Sequence, residues 1–160
     1  AFYGKKRVTP YVRKLHRSGN RLPRHVRFLS YVPYSDMPRW FGIADAAVVP
    51  SEQGEAFGLV NVEAMARGVP LVASSSGGIV EIVREGENGT LIPIGELRKK
   101  LAGRLCELLE DGERLRELGE NGARLAREAF TWRHTAERQL ELYHRYTHIF
   151  DSAGVGGAGA

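Results

Sequence analysis

Two carboxylates, Glu55 and Glu63, stand eight positions apart in the stretch SEQGEAFGLVNVEAMARGVP. Glu55 falls in a Gly-bearing turn, and Glu63 in the short helix which that turn opens. Between them, Phe57, Gly58 and Leu59 are placed to turn backbone N–H groups outward. Gly58 tolerates close approach of another group, and the first turn of a helix has unpaired donors. Such a turn suits a phosphate. A carboxylate touching the phosphate would repel it, so the two acids are better placed to accept hydrogen bonds from neutral hydroxyls on either side. A diphosphate flanked by hydroxyls describes a nucleotide sugar.

The helix after Gly58 reads LVNVEAMA, apolar nearly all round, which is the pattern of a buried helix. Glu63 shares a stripe with Leu59 and Ala66. An ionised carboxylate buried there needs a hydrogen-bond partner. That partner is either a ligand hydroxyl or, with a purely structural role, Arg67 or the N–H of a neighbouring loop.

Residues 44–92, ADAAVVPSEQGEAFGLVNVEAMARGVPLVASSSGGIVEIVREGENGTLI, carry a specific order of motifs. An acidic residue precedes Phe-Gly-Leu. Glu-Ala-Met-Ala with Gly-Val-Pro follows, then Gly-Gly, then Glu81 two positions beyond Ile79. This order resembles the donor half of GT-B glycosyltransferases of the large retaining group called family 4, and the resemblance extends from about Val26 to Tyr143. It implies that Glu55 contacts hydroxyls of the donor sugar and is the catalytic-site acid, though not a nucleophile. It implies that Glu63 grips the ribose, and that amides around Phe57, Gly58 and Leu59 meet the sugar and diphosphate. The loop Tyr31-Val32-Pro33 would lie near the base, and the Gly77-Gly78 loop would face an interdomain cleft. The expected reaction moves a sugar from a UDP, GDP or similar donor to an acceptor hydroxyl with retention, with no metal and no cofactor.

Elements that could position these residues follow from punctuation and periodicity. A helix is expected at Thr9 to Arg17 and a strand at Val26 to Leu29. Ser35 can cap a helix with Pro38 in its first turn and Trp40, Phe41 and Ile43 as contacts. Ala46 to Val49 reads as a buried strand, Leu71 to Ala73 as another, and Asn88-Gly89 as a turn before Thr90 to Ile92. A helix is expected from Ile79, where Glu81 can serve the N-terminus. Gly77-Gly78 is either a ligand contact or simply a tight turn. Strands joined by helices need crossovers, so the fold expected is α/β, a Rossmann-like doubly wound parallel sheet with helices on both faces. Ligands then sit outside the carboxyl ends of the strands, where the loops at Val32, at Glu55 to Gly58 and at Ser74 to Gly78 should converge.

After Ile94 the pattern becomes long amphipathic helices, about Glu96 to Glu110, Gly112 to Ala129 and Trp132 to Phe150, the last capped by Thr131. Trp132, Leu140, Tyr143, Tyr146 and Phe150 give it an aromatic stripe suited to a core or a partner domain. His144 and His148 lack a clear third ligand for a metal. Cys106, the single cysteine, sits among leucines as a small apolar residue.

At 160 residues with 42% hydrophobic and 26% charged, the chain suits one domain. Residues 1–150 are expected to form the donor domain, without its first strand, and 151–160 a flexible tail. The Arg and Lys pair that neutralises the leaving diphosphate in the family is not recognisable, because Lys5, Lys6 and Arg7 do not match its context. The resemblance thus implies a fragment, inactive alone, of an enzyme whose N-terminal acceptor domain lies outside these residues. An exposed sheet edge would then invite a homo-oligomer. Nine Lys and Arg and no acid occupy the first 35 residues, leaving fourteen bases against nineteen acids, a formal charge of −5, in the remainder. That basic stretch is read as a solvated helix, with nucleic acid or an anionic membrane as the competing partners. A non-catalytic nucleotide-sugar-binding module is the other alternative. The sequence argues against a dinucleotide dehydrogenase, because no Gly-x-Gly-x-x-Gly run follows a strand. No apolar run approaches the roughly 18 residues of a membrane span and no secretory signal opens the chain, so the cytoplasm is the expected compartment.

Overall fold

The computed structural model describes Leu29 and residues 32–152. The expected helix at Thr9 to Arg17, the expected strand at Val26 to Leu29 save Leu29 itself, and the basic positions Lys5 to Arg27 lie outside the described residues. The chain divides into two units, one ending at Trp40 and one beginning at Phe41. In the first, a 3-10 turn spans Tyr34–Asp36, followed by helix α1, Met37–Phe41, whose last residue is the first of the second unit. Ser35 therefore lies inside the turn and caps nothing, while Pro38 does fall in the first helical turn.

The second unit is built on three parallel strands, β1 (Ala47–Val49), β2 (Leu71–Ser74) and β3 (Gly89–Ile92), in the order β1-β2-β3. Ala47 pairs with Leu71 and Leu71 with Gly89, and each register runs on without a break. Helix α2 (Leu59–Ala66) connects β1 to β2, and α3 (Ile79–Ile82) connects β2 to β3. Three longer helices follow: α4 (Leu97–Glu110), α5 (Gly112–Ala129) and α6 (Trp132–Ser152). Asp111 caps α5 by accepting from the Arg114 amide at 2.9 Å, and Thr131 accepts from His134 N at 3.2 Å as anticipated.

The central strand divides its side chains between two cores, as the period of two requires. Leu71 and Ala73 pack with Ala64 and Met65 of α2, Ile79 and Ile82 of α3 and Ala126 of α5. Val72 packs on the other face with Ile92, Leu97, Leu108 and Leu118. Helices thus cover both faces of the sheet. Helices α2 and α5 approach closely through small residues. A Cβ on Gly119 would lie 2.2 Å from the Gly68 carbonyl oxygen, and one on Gly122 would lie 3.3 Å from Met65.

Four expectations require correction. Val48 is partly exposed, so β1 is not a fully buried strand; it pairs only with β2 among the described residues. Ile43 is exposed and does not serve as a core contact. Cys106 is exposed because it lies off the stripe of α4 that carries Leu97, Leu101 and Leu108 to the sheet. Finally, α2 is not buried all round. Leu59 is 64% and Val60 38% exposed, since the first turn of the helix stands at the sheet rim, beyond the elements that cover Ala64 and Met65.

On α6, Trp132, Leu140, Tyr143 and Tyr146 of the aromatic stripe are all exposed. No helix among the described residues is long and apolar enough to cross a membrane.

Candidate functional site

The segment from Ser51 to Gly58 leaves the carboxyl end of β1 and turns into α2. Gly58 makes the turn with φ 88° and ψ 50°, in the left-handed region. A side chain there would be strained, and its Cβ would fall 2.6 Å from Asn61 Nδ2. Asn61 holds that geometry twice over: its backbone N–H and its Nδ2 both donate to the Gly58 carbonyl, at 2.9 and 3.0 Å. Asn61 is fully buried, and its Oδ1 has no hydrogen-bond partner.

Beyond this clamp the donors of the turn are open. Among the described residues, no acceptor engages the N–H groups of Phe57, Gly58, Leu59 or Val60. Four amides at the entrance to a helix, free of internal acceptors, form a cradle for an anion. The Phe57 ring faces elsewhere, meeting Phe130 edge-on with centroids 6.1 Å apart. That contact anchors the turn to the α5–α6 junction.

Glu55 and Glu63 are both half-buried. The ion pairs among the described residues use Glu52, Glu85, Glu87, Glu96, Glu107 and Glu117. Neither Arg67 nor a loop N–H engages Glu63 there, so the structural partner that burial demanded is not needed. The residue lies on the same stripe as exposed Leu59 and reaches water. Glu55 runs close by Gly58, its Cγ 3.4 Å from where a Gly58 Cβ would stand.

The loop after β2 meets the Glu55 turn directly. Gly78 N donates to the Glu55 carbonyl at 2.8 Å. A Cβ on Gly77 would lie 2.0 Å from the Glu55 carbonyl oxygen, and one on Gly78 2.5 Å from that of Ala56. The glycines are thus required for backbone-to-backbone contact between the two loops. Ser74 and Ser76, fully or almost fully buried, donate their hydroxyls to Ser51 O at 2.8 Å and Gln53 O at 3.0 Å. Arg98 of α4 adds a surface pair with Glu52 at 3.1 Å. Val32, in the first unit, is buried.

Asn61, Ser74 and Ser76 were not singled out from the sequence. The signals were present: a polar residue third in an otherwise apolar helix, and a Ser-x-Ser-x-Gly alternation leaving a strand.

Residues 9–125 match the family model for glycosyl transferases group 1. The chain is 35% identical over 144 residues to spore coat protein SA of Bacillus subtilis (strain 168), covering 90% of this chain and 38% of that protein. It is 39% identical over 135 residues to the D-inositol 3-phosphate glycosyltransferase of Jonesia denitrificans, covering 82% of this chain and 30% of the relative. Among solved structures, Anabaena HepE in complex with UDP-glucose superposes with a TM-score of 0.74 at 30% identity, over 86% of this chain and 36% of that one. The chain therefore spans about a third of the length of these relatives. Its parallel sheet with helices on both faces is the Rossmann-like architecture of their GT-B fold. On the matched family model and these likenesses, the chain belongs to the group 1 glycosyl transferases.

Proposed function

We propose that residues 1–150 are the donor-binding, C-terminal domain of a retaining, family 4 hexosyltransferase. In this reading the domain holds a nucleoside diphosphate sugar at the carboxyl edge of its sheet. The observation that carries it is the row of N–H groups from Phe57 to Val60, unengaged among the described residues and bracketed by two carboxylates likewise unengaged. Amides hydrogen-bond the diphosphate, and the α2 N-terminus favours its charge. Glu63 accepts from the ribose hydroxyls and Glu55 from hydroxyls of the sugar. Gly77 and Gly78 bring their loop up to the sugar end. HepE, a structural neighbour, is solved with UDP-glucose, which supports a UDP-sugar as the donor class.

Transfer needs charge stabilised on the departing diphosphate and an acceptor hydroxyl held near the anomeric carbon. The domain contributes amides to the first requirement. The second falls to an N-terminal acceptor domain of the intact protein, so the 160 residues alone bind donor without transferring it. The bond from the anomeric carbon to the diphosphate oxygen breaks, a bond to the acceptor oxygen forms on the same face, and the acceptor's hydroxyl proton passes to the departing diphosphate. No metal or cofactor takes part in this scheme.

Calorimetry on the intact protein tests the reading. UDP or GDP should bind, and Glu63→Ala should weaken that binding by about 10- to 100-fold, the equivalent of one hydrogen bond to a charged group. Salt-sensitive DNA binding with no response to either nucleotide would overturn it in favour of a basic interaction domain.

A further inference from the structure

We propose that Ser76 is a positioning residue, which sets the place of Glu55 through a ladder of hydrogen bonds between two loops. The inference rests on the donor-site reading above.

The ladder has three rungs of equal spacing. The Ser74 hydroxyl donates to Ser51 O and the Ser76 hydroxyl to Gln53 O, each across 23 positions of sequence, and Gly78 N donates to Glu55 O at the same offset. Ser75 faces the other way, its amide donating to Ile92 O at 2.9 Å. Alternate residues therefore face opposite neighbours, as in a strand, although regular pairing of β1 with β2 ends at Val49 and Ala73. Side-chain hydroxyls replace backbone donors in the first two rungs.

The ladder has two consequences. A serine hydroxyl carries one hydrogen, and in Ser74 and Ser76 it is directed to a loop carbonyl, so neither serves as a donor to a ligand. Conversely, the carbonyls of Ser51, Gln53 and Glu55 are held, while among the described residues none of the N–H groups from Ser51 to Val60 is. The loop is thus gripped by its acceptors and leaves its donors open. Ser76 is the rung next to Glu55. Its backbone carbonyl also accepts from Ile79 N at 3.1 Å, so the residue joins the start of α3, through its main chain, to the Glu55 loop, through its hydroxyl.

The test uses the intact protein with UDP-glucose as probe. Ser76→Ala should raise the Kd about tenfold, whereas in a Glu55→Gln background the same change should matter less than about twofold, because the two residues act as one unit. A second readout needs no ligand: in Ser76→Ala, hydrogen exchange at the Gly78 amide should rise at least about tenfold, with the Ser75 amide unmoved. Additive losses in the double variant, or unchanged Gly78 exchange, would overturn the proposal. If Glu55→Gln weakens binding and Ser76→Ala does not, the ladder fails and the donor site stands. If UDP-glucose never binds while Gly78 exchange still rises in Ser76→Ala, the ladder stands and the donor reading falls.

Discussion

Replacing Gly77 by alanine is expected to abolish binding of a nucleotide sugar, while the same substitution at Gly54, in the loop it touches, should have almost no effect. The contrast comes from space. A Cβ at Gly77 would lie 2.0 Å from the Glu55 carbonyl oxygen, 2.9 Å from its nitrogen and 3.0 Å from its carbonyl carbon. These are backbone atoms and have no rotamer to escape through. The backbone at Gly77, with φ 49°, adds a cost of about 1–2 kcal/mol for an L-residue, but the contact decides the outcome. One loop must move, and the displaced part carries Glu55 and leads into the open amides. Overpacking of this kind costs about 1–3 kcal/mol of stability, so a folded but impaired protein is expected. UDP-glucose affinity in the intact protein should fall more than about 100-fold, the equivalent of some 3 kcal/mol. At Gly54 nothing lies within 4 Å of the same added carbon. Equal behaviour of the two variants in a UDP-glucose titration would show that the Gly-Gly contact does not shape the site.

The second large effect is expected at Glu55. Glu55→Gln keeps the shape and an acceptor oxygen but removes the charge that strengthens hydrogen bonds to sugar hydroxyls. If those bonds are stronger in the transition state than in the ground state, kcat falls, by roughly 10²–10³ for the loss of one electrostatic contact of this kind. Affinity for UDP, which lacks the transferred sugar that Glu55 contacts, should stay within about threefold. Thermal stability should be unchanged, because the carboxylate engages nothing among the described residues. Steady-state kinetics on a donor panel, with UDP affinity and the melting temperature measured alongside, would separate these outcomes. A variant that loses UDP binding and melts early would make Glu55 a structural acid.

The architecture was readable where chain punctuation is strong. Gly68, Pro70, Asn88 and Gly89 bound the short apolar runs that form β2 and β3, and the helix expected at about Gly112 to Ala129 from its amphipathic pattern spans those residues. Burial was harder, since hydrophobicity says which residues can be covered and not which ones are. Leu59 and Val60 look like core and stand at the rim, and Cys106 sits among leucines yet faces out. Within the candidate site, Glu55, Gly58 and Glu63 were legible because a turn and a helix put them there locally. The roles of Ser74, Ser76 and Asn61 were not. A hydroxyl looks the same whatever it bonds, and the partners of the two serines lie 23 positions away, across a crossover. The Gly-Gly pair was ambiguous for the same reason: only its neighbour explains why a side chain cannot fit.

The central claim is that the amides opening α2 hold the diphosphate of an activated sugar. An NMR titration of the intact protein with UDP, following backbone amides, tests it directly. The largest shifts should fall on Phe57, Gly58, Leu59 and Val60, with saturation at a single Kd. Perturbations confined to other surfaces, such as the outer face of α4, with those four amides unmoved, would contradict it.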